Sequence, residues 1–165
     1  MGKLTVLALR VVLGVLLAGS AGVQVVLMPL LAKDLEGVDT ELAYPPAAFI
    51  TTLVLGIASA QVVAVCVWRL VTMVRRGTVF SHAAFRYVDI VIGAFVAAAL
   101  LLFALGVLLA PGEAVAPGIV LLIGGGVMAV LGVALIVLVL RMLLAQAVAR
   151  DVEAAQLQAE LAEVI

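Results

Sequence analysis

Four apolar runs, each long enough to cross a lipid bilayer as a helix, take up most of this chain and leave only short charged segments between them. They lie at approximately Leu4 to Ala32, Ala47 to Val74, Val88 to Ala110 and Gly118 to Leu140. A crossing needs about 20 apolar residues. Within hydrocarbon every backbone N–H and C=O must find its partner inside the segment, so runs of this kind are expected to be helical. The expected fold is all-α: an integral membrane four-helix transmembrane bundle over residues 1–144, followed by a cytoplasmic amphipathic helical tail over 145–165. Composition agrees, with 67% hydrophobic and 12% charged residues and a mean hydropathy of +1.42. A water-soluble domain has roughly half and a quarter.

The first run resembles a signal peptide in part, because Lys3 precedes an apolar stretch that reaches the small residues Ala18, Gly19, Ser20 and Ala21. Arg10 interrupts that stretch, however, and the apolar residues continue through Leu27, Leu30 and Leu31. An uncleaved anchor is therefore expected.

Orientation is read from the cations. Lys3 and Arg10 lie near the N-terminus, Arg69, Arg75, Arg76 and Arg86 around the middle connection, and Arg141 and Arg150 beyond the fourth run; only Lys33 falls elsewhere. The other two connections carry Asp34, Glu36, Asp39, Glu41 and Glu113. By the positive-inside rule both termini and the middle connection of this multi-pass chain are expected in the cytoplasm. Trp68 and Tyr87 suit the inner headgroup region, and Tyr44 the outer one. A net charge of -1 gives no basic surface for phosphodiester backbones, so direct nucleic-acid binding is not expected.

The middle connection is the candidate interaction loop: Arg75, Arg76, Gly77, Phe80, Ser81, His82 and Arg86. Ser81 has the position of a helix N-cap, and Phe80 and Phe85 have the spacing of a hydrophobic staple. Gly77 permits a tight turn after the arginine pair. Two readings stay open: a well-capped hairpin whose basic residues sit among headgroups, or a platform that docks a cytosolic protein or anionic lipid. Each basic residue near an anionic surface contributes about 1 kcal/mol.

The pattern Arg-Gly-x-x-Phe-Ser ahead of a helix, in a four-span chain whose last span runs into Gln158-Ala159-Glu160-Leu161-Ala162-Glu163-Val164-Ile165, resembles the bacterial membrane family known as domain of unknown function 2975. Members of that family are often encoded beside a small helix-turn-helix regulator of the Cro type, so the resemblance implies a cytosolic regulator of helix-turn-helix type as partner. Members commonly carry a polar residue, often Asn, where this chain has Ala83 and Ala84. The resemblance carries over no catalytic or binding residue.

Polar residues within the runs are few, and such residues are retained where they do work or pair. Asp89 opens the third run and is expected to form an interfacial ion pair with Arg69 or Arg86; a proton relay is the rival reading. Arg10 is expected to snorkel toward the inner surface. Gln24, Gln61, Thr51, Thr52 and Ser59 are expected to make interhelical hydrogen bonds, with Gln24 and Gln61 the candidates for lining a cavity. Cys66 reads as a small packed thiol. No metal-ligand, phosphate-loop or nucleophile-elbow motif is found, and no enzyme activity, cofactor or metal is expected.

Small residues four apart, as in Gly14, Ala18 and Gly22, Gly56 and Ala60, Gly93 and Ala97, and Gly125 and Ala129, predict close helix approach and a compact bundle. Gly124, Gly125 and Gly126 allow either packing or an unwound span that exposes carbonyls. In the tail, Ala147, Ala154, Leu157, Leu161 and Val164 recur at a three-four spacing while Arg150, Asp151, Glu153, Gln156, Glu160 and Glu163 supply polar surface, with Arg150 at a would-be core position of that spacing, which weakens a coiled-coil reading. The tail is either a solvated extension or a contact with a second copy or a cytosolic partner. The leading functional expectation is a non-enzymatic accessory or regulatory component that tethers a cytosolic partner through the loop and tail. The alternative is a small oligomeric transporter or channel.

Overall fold

A computed structural model describes residues 3–36, 45–75, 82–111 and 115–164. The elements run α1 (Lys3–Gly22), a π-helical turn (Val23–Leu27), α2 (Met28–Glu36), α3 (Pro46–Arg75), α4 (His82–Leu109) and α5 (Pro117–Val164). Four helical segments, Leu4–Leu35, Pro46–Met73, Ala84–Leu109 and Pro117–Ala162, are long and apolar enough to cross a membrane. The expected spans are all present, and α4 begins a turn and a half before its apolar run.

Prolines set the starts. Pro46 and Pro117 are the first residues of α3 and α5, a position where the missing N–H is never needed and the fixed φ already suits a helix. The carbonyl of Pro45 accepts from the amides of Ala48 at 3.1 Å and Phe49 at 3.3 Å, and that of Ala116 from Ile119 at 2.9 Å.

Within the first span a proline has the opposite effect. Pro29 has no N–H to give, and its ring would collide with the carbonyl four residues earlier, on Val25. The helix relieves this by widening just ahead of the proline: the amide of Met28 donates to the carbonyl of Val23, five residues back, over the π-helical turn. The first span is thus two α segments joined by a π turn.

The helices pack in chain order. The segment formed by α1, the π turn and α2 lies against α3, α3 against α4, and α4 against α5, with the two later seams more extensive than the first. Among the described residues α1 and α5 make no comparable seam, so the four spans form an open row, less compact than the bundle expected from the small residues. The interior is correspondingly thin: Val6, Leu13, Cys66, Ala84, Val91, Ala99, Leu109 and Ala134 are the buried apolar residues. Lipid is as apolar as leucine, so a row of spans loses little by leaving both faces to the bilayer.

The glycines follow the same geometry. Gly14 lies beside the Trp68 ring, where an added Cβ would meet Cζ3 at 3.7 Å, and Gly106 lies against Ile123, where it would meet Cγ2 at 3.3 Å. At Gly22, Gly56, Gly93 and Gly125 an added Cβ would meet nothing within 4 Å, so these small residues do not serve close approach within one chain. α5 stays helical through Gly124, Gly125 and Gly126, and no carbonyl set is unwound for an ion.

Candidate functional site

One end of the row gathers the polar chemistry. α1 starts there with Lys3, α3 ends there at Arg75 and α4 starts there at His82. At a rise of 1.5 Å per residue, Arg10, Trp68, Asp89 and Arg141 each lie roughly 30–37 Å along their helices from the opposite end of the row. That is about one hydrocarbon thickness, so all four stand at one level of the row.

At this level Asp89 pairs with Arg141. The Nη2 of Arg141 donates to Oδ2 of Asp89 at 2.8 Å, and its Nε lies 2.5 Å from Oδ1. The guanidinium carbon also stands 6.0 Å from the centre of the Phe85 ring, one helical turn before Asp89 on the same face of α4. The partner expected for Asp89 was Arg69 or Arg86; the structure assigns it Arg141 instead. Arg86, on the same helix three residues away, is exposed, as is Arg69, whereas the close α4–α5 seam brings Arg141 directly across from the carboxylate. The signal was present in the sequence: Asp89 and Arg141 stand at similar distances from the connection between their adjoining spans.

The second cluster lies in the α1–α3 seam. The Nη2 of Arg10 donates to Oγ1 of Thr72 at 3.0 Å, and the guanidinium carbon is 5.9 Å from the centre of the Trp68 ring. Thr72 Oγ1 in turn donates to the carbonyl of Trp68 at 2.9 Å. Val6 and Leu13 are buried on the same side of α1, which fixes the face that carries Arg10 toward α3. Arg10 is thus held in a seam and does not simply snorkel. Its Nε is buried without an acceptor, and no carboxylate faces it among the described residues.

Nearer the middle of the row, Gln24 and Gln61 meet. Nε2 of Gln61 donates to Oε1 of Gln24 at 3.0 Å and lies 3.1 Å from Oγ of Ser20, while Nε2 of Gln24 donates to the carbonyl of Val54 at 3.0 Å. The π turn contains Gln24, so the widening forced by Pro29 coincides with the cross-link between the first span and α3. Thr51, Thr52 and Ser59, expected to bond across helices, donate instead to the carbonyls four residues back, of Ala47, Ala48 and Leu55. A short hydroxyl satisfies itself on its own helix more readily than it reaches a neighbour.

Of the candidate interaction loop, Arg75 ends α3, His82 opens α4 and Arg86 is exposed on α4. Arg76, Gly77, Phe80 and Ser81 lie outside the described residues, as does Tyr44. Among the described residues no group of three or more His, Cys, Asp or Glu side chains is placed to hold a metal. Among the described residues, grooves of about 610, 250 and 200 Å³ open to the sides of the row, lined almost wholly by apolar side chains.

Comparison with known families decides the membership. The family described as a protein of unknown function, DUF2975, matches residues 30–165. The chain belongs to this family. The DUF2975 match covers α3, α4 and α5, and with them the Asp89–Arg141 pair and the tail, while Arg10, Ser20 and Gln24 precede it. No match is found among curated proteins or among solved structures.

Proposed function

We propose that the protein is a non-enzymatic accessory or regulatory component of a bacterial cytoplasmic membrane that tethers a cytosolic partner. The observation that carries this reading is the length of α5. It runs unbroken from Pro117 to Val164, and beyond Arg141 it continues for about 35 Å past the hydrocarbon boundary. Every described side chain from Ala149 to Ala162 is exposed, including Leu157 at 55% and Leu161 at 63%. Apolar side chains at helical spacing, exposed along a stretch of helix beyond the last packed turn, are the form in which a helix offers itself to a groove or a second helix. Arg150 stands against Asp151, Glu153, Glu160 and Glu163 on this tail, so the complementary partner surface is apolar with a basic rim. The partner kind implied by the family resemblance is a helix-turn-helix regulator. The basic residues around the α3–α4 connection orient this end to the cytoplasm under the positive-inside rule.

The test is purification of the full chain from its own membrane with co-purifying proteins weighed by native mass spectrometry. A stoichiometric cytosolic protein that is lost when Arg75 and Arg76 become Gln and the tail is removed after Arg150 is the expected result. Retention of every native partner by that variant would refute the tether. The open row gives the second reading, a small oligomeric transporter or channel, one specific support: Gly56, Gly93 and Gly125 face open space, where a second copy can approach. A homo-oligomer without a cytosolic protein in the same measurement would favour it.

A further inference from the structure

We propose that the α1–α3 seam at Arg10 is a binding site for the headgroup phosphate of an anionic phospholipid. The two arginines held in the helix seams differ in one respect. Arg141 is neutralised by Asp89, whereas Arg10 has the hydroxyl of Thr72 and the face of Trp68. Neither is an anion. A guanidinium carries five N–H groups in a planar fork, and here one donates to the uncharged hydroxyl of Thr72. A cation at this depth without a counter-charge is costly, and it is retained where an anion reaches it.

The position selects the anion. Arg10 lies about 10 Å along α1 from Lys3, and Trp68 about 10 Å along α3 from Arg75, at the level where acyl chains give way to phosphates. The fork geometry of arginine suits two phosphate oxygens. Trp68 presents an amphipathic ring of the kind that settles at this interface, and Arg69, exposed on the next residue, adds a second cation. A zwitterionic lipid brings its own cation to the same place, so charge complementarity favours a lipid with net negative charge. Gly14 beside Trp68 leaves the ring edge without a competing side chain from α1. The site is separate from the tether: it uses α1, which precedes the DUF2975 match, and a lipid bound here would hold the loosest helix of the row to α3.

Trp68 is the chain's single tryptophan, so its fluorescence reports this seam alone. The full chain is reconstituted in vesicles of phosphatidylcholine and phosphatidylglycerol at equal fractions, with bromine on the acyl chains of one lipid or the other. The expected result is quenching of Trp68 that favours brominated phosphatidylglycerol over brominated phosphatidylcholine by about fivefold, the equivalent of the roughly 1 kcal/mol that one basic residue contributes beside anionic lipid. Arg10→Gln is expected to abolish the preference, and Arg150→Gln to preserve it. Equal quenching by the two lipids in the wild-type chain overturns the proposal whether or not the variant folds. So does a preference that survives Arg10→Gln, or one that Arg150→Gln also removes. Loss of the preference on adding inorganic phosphate would assign the seam to free phosphate and overturn the lipid as occupant.

Discussion

Residue identities in the helix seams divide into one paired and one unpaired arginine, and each has a measurable consequence. The Asp89–Arg141 contact joins a charged donor to both carboxylate oxygens with Arg141 31% and Asp89 50% exposed. Such contacts contribute more than an open surface pair and less than a buried one. A double-mutant cycle with Asp89→Asn and Arg141→Gln is expected to give a coupling of about 1–2 kcal/mol in mixed-micelle unfolding; additive single effects would contradict the pairing. Gln61 donates to Gln24 and lies beside Ser20 Oγ, and interhelical bonds in membranes average about 0.6 kcal/mol. Gln61→Leu is therefore expected to cost only about 1 kcal/mol by the same assay, with a loss above about 3 kcal/mol indicating that the network does more than join two helices. Sequence alone isolated Asp89, Gln24 and Gln61 as the polar residues worth following, because charge and amide groups are rare in these spans. It did not identify the partner of Asp89, since pairing depends on which helix face meets which neighbour, and apolar runs that face lipid on several sides carry little record of that.

Elements were the most legible scale, because hydrocarbon thickness imposes a length that a run of apolar residues displays directly. What composition obscured was the break within the first span. Pro29 removes a donor and crowds the Val25 carbonyl, and the π turn at Val23–Leu27 places Gln24 where it reaches the Val54 carbonyl. Replacing Pro29 by Ala restores a regular donor. The expected outcome is closure of the π turn, loss of the Gln24 contact and a shift in the side-chain amide resonances of Gln24 and Gln61; unchanged resonances would show that the turn is held by the glutamines and not by the proline. The tail makes a contrasting element. Its side chains pack on nothing in the chain from Ala149 to Ala162, so removing residues 151–165 is expected to change the stability of the spans by less than about 0.5 kcal/mol, read by thermal unfolding in detergent. A larger loss would mean the tail folds back on the row.

The whole molecule is a row of four spans in chain order, bound at its charged end by two arginine clusters and extended there by the end of α5. Small residues spaced four apart were expected to make the bundle compact through close helix approach. They do not, because a spacing motif states that a helix face permits close approach without stating whose helix approaches, and here Gly56, Gly93 and Gly125 face open space. The open row makes a prediction of its own: cysteine pairs across the α3–α4 and α4–α5 seams are expected to cross-link in a Cys66-free background, and pairs between α1 and α5 within one chain are not. The tether stands or falls on which side of the membrane the charged end occupies. The most direct measurement is labelling of single cysteines at positions 113 and 156, with Cys66 replaced by Ala, by a membrane-impermeant thiol reagent in spheroplasts. The account predicts that position 113 reacts in intact spheroplasts and position 156 only after the membrane is opened; reaction at 156 in intact spheroplasts would put the tail outside and contradict it.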